Sequence, residues 1–197
     1  MTLTASTGYR KPGFIFALCI VLALQGCAEA VVVGGMGGLV AMNDARSTKD
    51  WYQDQTLEKA ARRILYRDPQ LKDHSDITIT SFNRTLLLTG QTRTRALKQH
   101  ATSLLRKLDN VRLVRNELLV ASPPMENSWA SDSYMTARVK ARLVFRDFDA
   151  TRIKVISDLG NVYLMGRVSH EESDQVTAMV ADVGGVSTVT GVFEYVD

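Results

Sequence analysis

The sequence predicts an α+β protein of two tandem two-layer units, each ordered helix-strand-strand-helix-strand, behind a processed amino-terminal segment. Three observations carry this. The chain repeats itself at a spacing of 76 residues, from Ile77–Gly90 to Ile153–Gly166. Within each repeat the apolar pattern changes from strand-like alternation to helical spacing after a glycine. Paired prolines at Pro123 and Pro124 separate the repeats. At 197 residues with 45% hydrophobic and 23% charged side chains, the composition is that of a globular protein.

The amino terminus comes first in chain order. Arg10 and Lys11 precede the apolar run Phe14–Leu24, whose length suits a signal-peptide core and falls short of a membrane span. It ends in Leu24-Gln25-Gly26-Cys27, which resembles the lipobox of bacterial lipoproteins. The resemblance implies a diacylglycerol thioether on Cys27, cleavage before it and acylation, including palmitate, of the new terminus. Ala28 rather than Asp follows the cysteine, which favours the outer membrane by the enteric sorting rule. The glycine-rich stretch Ala30–Met42 is too short to cross a bilayer and reads as part of a tether. The expected layout is thus signal peptide 1–26, lipidated Cys27 and tether 27–50, first unit 51–121, linker 122–128 and second unit 129–197.

Both units are read in parallel. A helix is expected over Thr56–Tyr66 in the first and Ser131–Phe145 in the second. Ile77 and Ile79, like Ile153 and Val155, alternate as half-buried strands do. Phe82-Asn83-Arg84 and Asp158-Leu159-Gly160-Asn161 carry the turn residues of hairpins. Return strands follow at Leu86–Thr89 and Val162–Met165, then helices over Arg95–Leu108 and His170–Val183. Thr94 and Ser169 are their N-caps, with Glu172 completing a capping box after Ser169. Final strands are expected over Val111–Val120 and Val186–Val196.

The order of elements and the pattern strand, glycine, helix, Gly-Val-x-x-Val, strand resemble the BON domain. The residues that carry the resemblance are Val162, Leu164, Gly166, Val168, Gly185, Val186 and Val189, and less closely Leu86, Leu88, Gly90, Val111, Val114 and Asn116. Asn110 stands where the family has Gly before Val111, and Arg84 and Thr85 replace the Gly-x-Val approach to the second strand. Lipobox, tether and two such units together are similar to the dual-BON outer-membrane lipoproteins of Gram-negative bacteria. That resemblance implies a binding module without enzymatic activity, a phospholipid-interacting surface, and roles in envelope integrity and at the division site.

The helix Ser131–Phe145 carries the candidate site. On a helical wheel Met135, Val139 and Leu143 form one stripe suited to a sheet, and Tyr134, Ala141 and Phe145 form a second roughly opposite. Arg138 and Arg142 flank that second stripe on one side, Lys140 and Val144 on the other, and Trp129 lies just ahead. Cations around an apolar, aromatic face suit an anionic bilayer of the phosphatidylglycerol kind. The resemblance implies the same helix as the lipid-binding element. Tyr134 and Phe145 packing against the first unit or the linker is the competing expectation, and docking of an envelope protein on this helix is the competing function.

Charge and motifs limit the other classes. Residues 50–121 carry +5 (13 basic, 8 acidic) and residues 122–197 carry −4 (7 basic, 11 acidic). The basic first unit is not read as a nucleic-acid module, because it lacks a Gly-x-x-Gly loop and export removes the ligand. His74, His100 and His170 are isolated, so no metal is expected. No nucleophile, phosphate-loop or dinucleotide motif stands in a structural context, and no cofactor is expected.

Overall fold

A computed structural model describes residues 47–121, 129–146 and 148–196. The signal peptide, Cys27, nearly all of the tether and the linker 122–128 lie outside the described residues.

The first unit runs α1 (Thr48–Arg67), α2 (Pro69–Lys72), β1 (Ser75–Phe82), β2 (Thr85–Thr92), α3 (Arg95–Leu105), β3 (Leu113–Asn116) and β4 (Leu119–Val120). The second runs α4 (Trp129–Phe145), β5 (Ile153–Asp158), β6 (Asn161–Val168), α5 (His170–Ala181) and β7 (Thr188–Tyr195). The duplication read from the sequence is thus realised element by element, with three corrections. Helix α1 begins eight residues before the expected Thr56, taking in Thr48–Asp50 of the expected tether and capped by Ser47, whose hydroxyl accepts from the Asp50 N–H at 3.1 Å. The extra turn α2 follows Asp68, whose carboxylate caps it from the Gln70 and Leu71 N–H groups. The last strand of the first unit is broken into β3 and β4, because the Asn116 side chain turns back to the Leu118 N–H and to α3.

Each hairpin closes with a two-residue loop. Asn83 and Arg84 (φ 47° and 61°) join Phe82 to Thr85, and Leu159 and Gly160 (φ 49° and 78°) join Asp158 to Asn161. Positive φ at both loop positions is the turn whose twist matches that of the flanking strands. A carboxylate from the preceding helix holds each turn. Asp54 of α1, 2% exposed, accepts from the Asn83 and Arg84 N–H groups at 2.7 and 2.9 Å and from the Ser81 hydroxyl at 2.6 Å. Asp132 of α4 accepts from the Leu159 N–H at 3.0 Å. The first turn carries two non-glycine side chains in the left-handed region, Asn83 and Arg84, and the second carries one, Leu159; the first is held by three donors against one.

Both sheets place their return strand in the middle, antiparallel to the first strand and parallel to the last. A central strand in contact on both faces explains the continuous apolar runs Leu86-Leu87-Leu88 and Val162-Tyr163-Leu164-Met165. Leu86 and Leu88 join Leu57, Ala61, Leu65, Ala101 and Leu105 in the helix-facing core of the first unit. Val162 and Leu164 join Met135, Val139, Leu143, Val176 and Val180 in that of the second. The alternate residues turn the other way. Leu87 and Phe82 pack with Tyr163 and Met165, with Ile156 and Val192 at the margin.

The two sheets are therefore packed face to face, and the layers run helices, sheet, sheet, helices. Polar contacts seal this seam: the buried Asp158 carboxylate accepts from the Gly90 N–H at 2.8 Å, Lys154 donates to Glu58 at 2.9 Å and to the Ser81 carbonyl at 3.1 Å, and Arg112 meets Glu194 at 3.3 Å. Gly90 is required where it stands. Its φ is 105°, and a Cβ there would lie 2.1 Å from the Asp76 carbonyl oxygen.

Candidate lipid-binding face

Helix α4 divides cleanly into two faces. Met135, Val139 and Leu143 are buried against β5 and α5, as their spacing predicts. On the other side Tyr134 is 66% exposed, Val144 62% and Phe145 84%, with Trp129 83% exposed at the first residue of the helix. Ala141 and Lys140 are exposed as well. Among the described residues neither Tyr134 nor Phe145 is covered by the first unit. Four large apolar side chains uncovered on one helix make α4 a candidate interaction surface.

The cations divide unevenly. Arg138 donates to the Gly184 carbonyl at 2.7 Å and its guanidinium lies 5.6 Å from the Tyr134 ring centroid, so it is fixed at the edge of the aromatic face. Arg142 is half-buried and paired with the Asp182 carboxylate, so part of its charge is already answered. Lys140 stands on the opposite flank and is exposed. Asp182 and Gly184 were not legible as members of this site. They follow α5, about forty residues on, and reach α4 only through the packing of α5 beside it.

The base of α4 is set by Asp132. Burial pushes its carboxyl above the usual range, the nearby Asp158 charge pushes it further, and the Leu159 N–H opposes both. At the start of α5 the Glu172 carboxyl is held low by the Arg152 guanidinium, which bonds it at 2.7 Å from the turn before β5, while Glu172 also accepts from the Ser169 N–H in the expected capping box. The Tyr163 hydroxyl, inside the seam, is pushed up to about 12 by burial and then by the charges of Asp158 and Glu117.

Two of the three histidines serve structural contacts, His100 bonding Asp68 at 2.8 Å and His170 stacking on Tyr195 with ring centroids 3.9 Å apart, and His74 is exposed. Asp149 caps the short turn Ala150–Arg152. Among the described residues no group of His, Cys, Asp and Glu side chains could hold a metal ion. No helix among them is long and apolar enough to cross a membrane.

A duplicated helix-hairpin-helix-strand unit defines a class of tandem α+β repeat protein, and the comparisons give it a family. Residues 53–122 and 131–197 each match the BON domain. The chain belongs to the BON-domain family. It is 33% identical to the outer membrane lipoprotein DolP of Haemophilus influenzae over 175 residues, covering 88% of this chain and 91% of that protein. It is also 30% identical to a 21 kDa hemolysin of Actinobacillus pleuropneumoniae over 154 residues, covering 78% of this chain and 79% of that protein. Among solved structures, the C-terminal domain of CdsD, a structural protein of the type III secretion system of Chlamydia trachomatis, aligns over 73% of this chain and 67% of its own. Its TM-score is 0.30 at 16% identity, too loose a likeness to carry an argument.

Proposed function

We propose that this protein binds anionic phospholipid through the outer face of α4 and, held at the outer membrane by a lipid on Cys27, supports envelope integrity and acts at the division site. The coarser part needs no proposal: this is an outer-membrane lipoprotein with two BON domains, by its likeness along nearly its whole length to one. Cys27 as the lipidated residue rests on the Leu24–Cys27 motif alone.

The observation that carries the lipid reading is the uncovered set Tyr134, Val144 and Phe145, opposite a buried stripe on the same helix, with Trp129 exposed at its first residue. Tyrosine and tryptophan suit headgroup depth, where the ring is apolar and the polar tip stays wet. Arg138 and Lys140 supply the charge, each cation near an anionic surface contributing about 1 kcal/mol. Arg142, shared with Asp182, contributes less than its sequence position implies. No acid–base pair or nucleophile takes part; the reading is one of recognition.

The test is co-sedimentation of the fragment Asp44–Asp197, a compact unit carrying both cores and the Ser47 cap. Vesicles containing phosphatidylglycerol are compared with vesicles of phosphatidylcholine alone. Selective binding that falls at least about tenfold in Tyr134→Ala/Phe145→Ala, the loss that removing two partly inserted aromatic rings implies, is the predicted result. Equal sedimentation of wild type and variant would remove α4 as the site. Binding to neither vesicle would make a protein adaptor the better account.

A further inference from the structure

The repeat counterpart of α4 is α1, and it too has an outer face that the lipid reading leaves unused. Asp54, Leu57, Ala61 and Leu65 are its buried stripe. Tyr52, Lys59, Arg63 and Tyr66 fall within about 60° of one another on the opposite side. Tyr52 is 68% exposed and Tyr66 61%, and Lys59 and Arg63 are exposed between them. Arg62 and Arg67 add charge beside the stripe. Among the described residues none of these four cations has a carboxylate within ion-pair distance; Glu58, on the same helix, is taken by Lys154 from the other unit. This is the unit of net charge +5. Two aromatic residues about 21 Å apart, with unshared cations between them, form a contact line of the kind that settles on an anionic headgroup layer.

Chain connectivity points to the same occupant. Helix α1 is the first described element, and only the residues between Cys27 and Ser47 separate it from the proposed anchor. Twenty residues span at most about 70 Å whatever their conformation. Of all the described surfaces this one is nearest, along the chain, to the membrane.

The layer order then gives the arrangement a geometric consequence. Because the sheets pack face to face, α1 and α4 belong to opposite outer layers, and their exposed stripes look away from each other. A flat bilayer lying against one leaves the other facing outward. We propose that the outer face of α1 is a second anionic-phospholipid surface, so that the fold presents lipid-binding faces on opposite sides and draws two bilayer surfaces together. The α1 contact stands without the α4 reading; the bridging of two surfaces rests on both.

Bridging has a readout that single-faced binding lacks. Light scattering reports clustering of phosphatidylglycerol vesicles by the fragment Asp44–Asp197, and co-sedimentation reports binding separately. Wild type should cluster the vesicles. Lys59→Glu/Arg63→Glu and Tyr134→Ala/Phe145→Ala should each lower clustering at least about tenfold while still sedimenting with vesicles, and the quadruple variant should do neither. Binding by the α4 variant, carried by the cation-rich α1 face, should fall as salt rises. All four positions are exposed, and unchanged thermal melts verify the fold. The proposal is overturned if wild type binds without clustering, if Lys59→Glu/Arg63→Glu clusters as wild type does, or if the α4 variant retains no binding. Failure of the α4 reading alone looks different: wild type and Tyr134→Ala/Phe145→Ala would then bind alike and neither would cluster, while the α1 variant lost binding altogether.

Discussion

The two units share a scaffold and differ in nearly everything laid on it. Each closes its hairpin with two left-handed residues, holds that turn with a helix carboxylate, sets a glycine of its return strand against a carbonyl near the start of the first strand, and buries alternate residues of the central strand on opposite sides. The first unit invests more in its turn, with three donors on the buried Asp54, and carries an excess of positive charge on open helix faces. The second holds its turn with a single bond to Asp132, has a net negative charge, and gathers apolar exposure on α4. Duplication here preserved what the backbone requires and released what faces solvent, so function is to be sought in the differences.

The scaffold claim is broken most directly at Gly90. Gly90→Ala should cost about 2–5 kcal/mol, combining a left-handed penalty with collision against the Asp76 carbonyl. At the matching Gly166, φ is ordinary and the contacts are Arg152 O and the movable end of Ile153, both at 2.7 Å, so its alanine variant should lose less. Urea unfolding of the two variants ranks them.

The turn carboxylates sharpen the comparison. Asp54→Ala strands two backbone donors and a hydroxyl and should cost about 2–4 kcal/mol; Asp132→Ala loses one bond and should cost about 1 kcal/mol. Similar losses in denaturant midpoints would mean that the two turns are held alike.

Smaller effects come from pH, with opposite signs on two carboxylates of the second unit. Asp132 is raised, so the folded state takes up its proton first and its charge opposes folding at neutral pH. Asp132→Asn, which keeps an acceptor for the Leu159 N–H, should therefore be slightly stabilising at pH 7, and the advantage should vanish as pH falls below the raised value. Glu172 is lowered by Arg152, so its contribution is present above the ordinary carboxyl range and is lost as pH falls through the depressed value. Glu172→Gln should flatten the acid limb of stability by less than about 1 kcal/mol, the pair being one-third exposed. Thermal melts across pH 3–7 would show both trends.

The repeat, the turns and the caps were legible because each is written locally, in alternation, in turn residues and in the Ser169 to Glu172 spacing. The start of α1 was not, and the reason is Asp54. The helix position that faces inward in its early turns is a carboxylate rather than an apolar residue, so apolar periodicity begins only at Leu57. The joining of the sheets was half legible: Leu86-Leu87-Leu88 announces burial on both faces, but no strand names its partner across a seam. For the candidate site, spacing alone set Tyr134, Val144 and Phe145 opposite the sheet-facing stripe, and left open whether another part of the chain covers them. The partial loss of Arg142 to Asp182 depends on how α5 packs beside α4, which periodicity within one helix does not contain.

The central claim, that α4 meets lipid, is tested most directly by Trp129. The chain has two tryptophans, Trp51 and Trp129. In a Trp51→Phe variant of the Asp44–Asp197 fragment, emission reports the first residue of α4 alone. A blue shift and loss of quenching by iodide on adding phosphatidylglycerol vesicles, without either change on adding phosphatidylcholine vesicles, is the predicted result. An emission spectrum that stays unchanged while the protein sediments with the same vesicles would contradict the account and place the contact elsewhere.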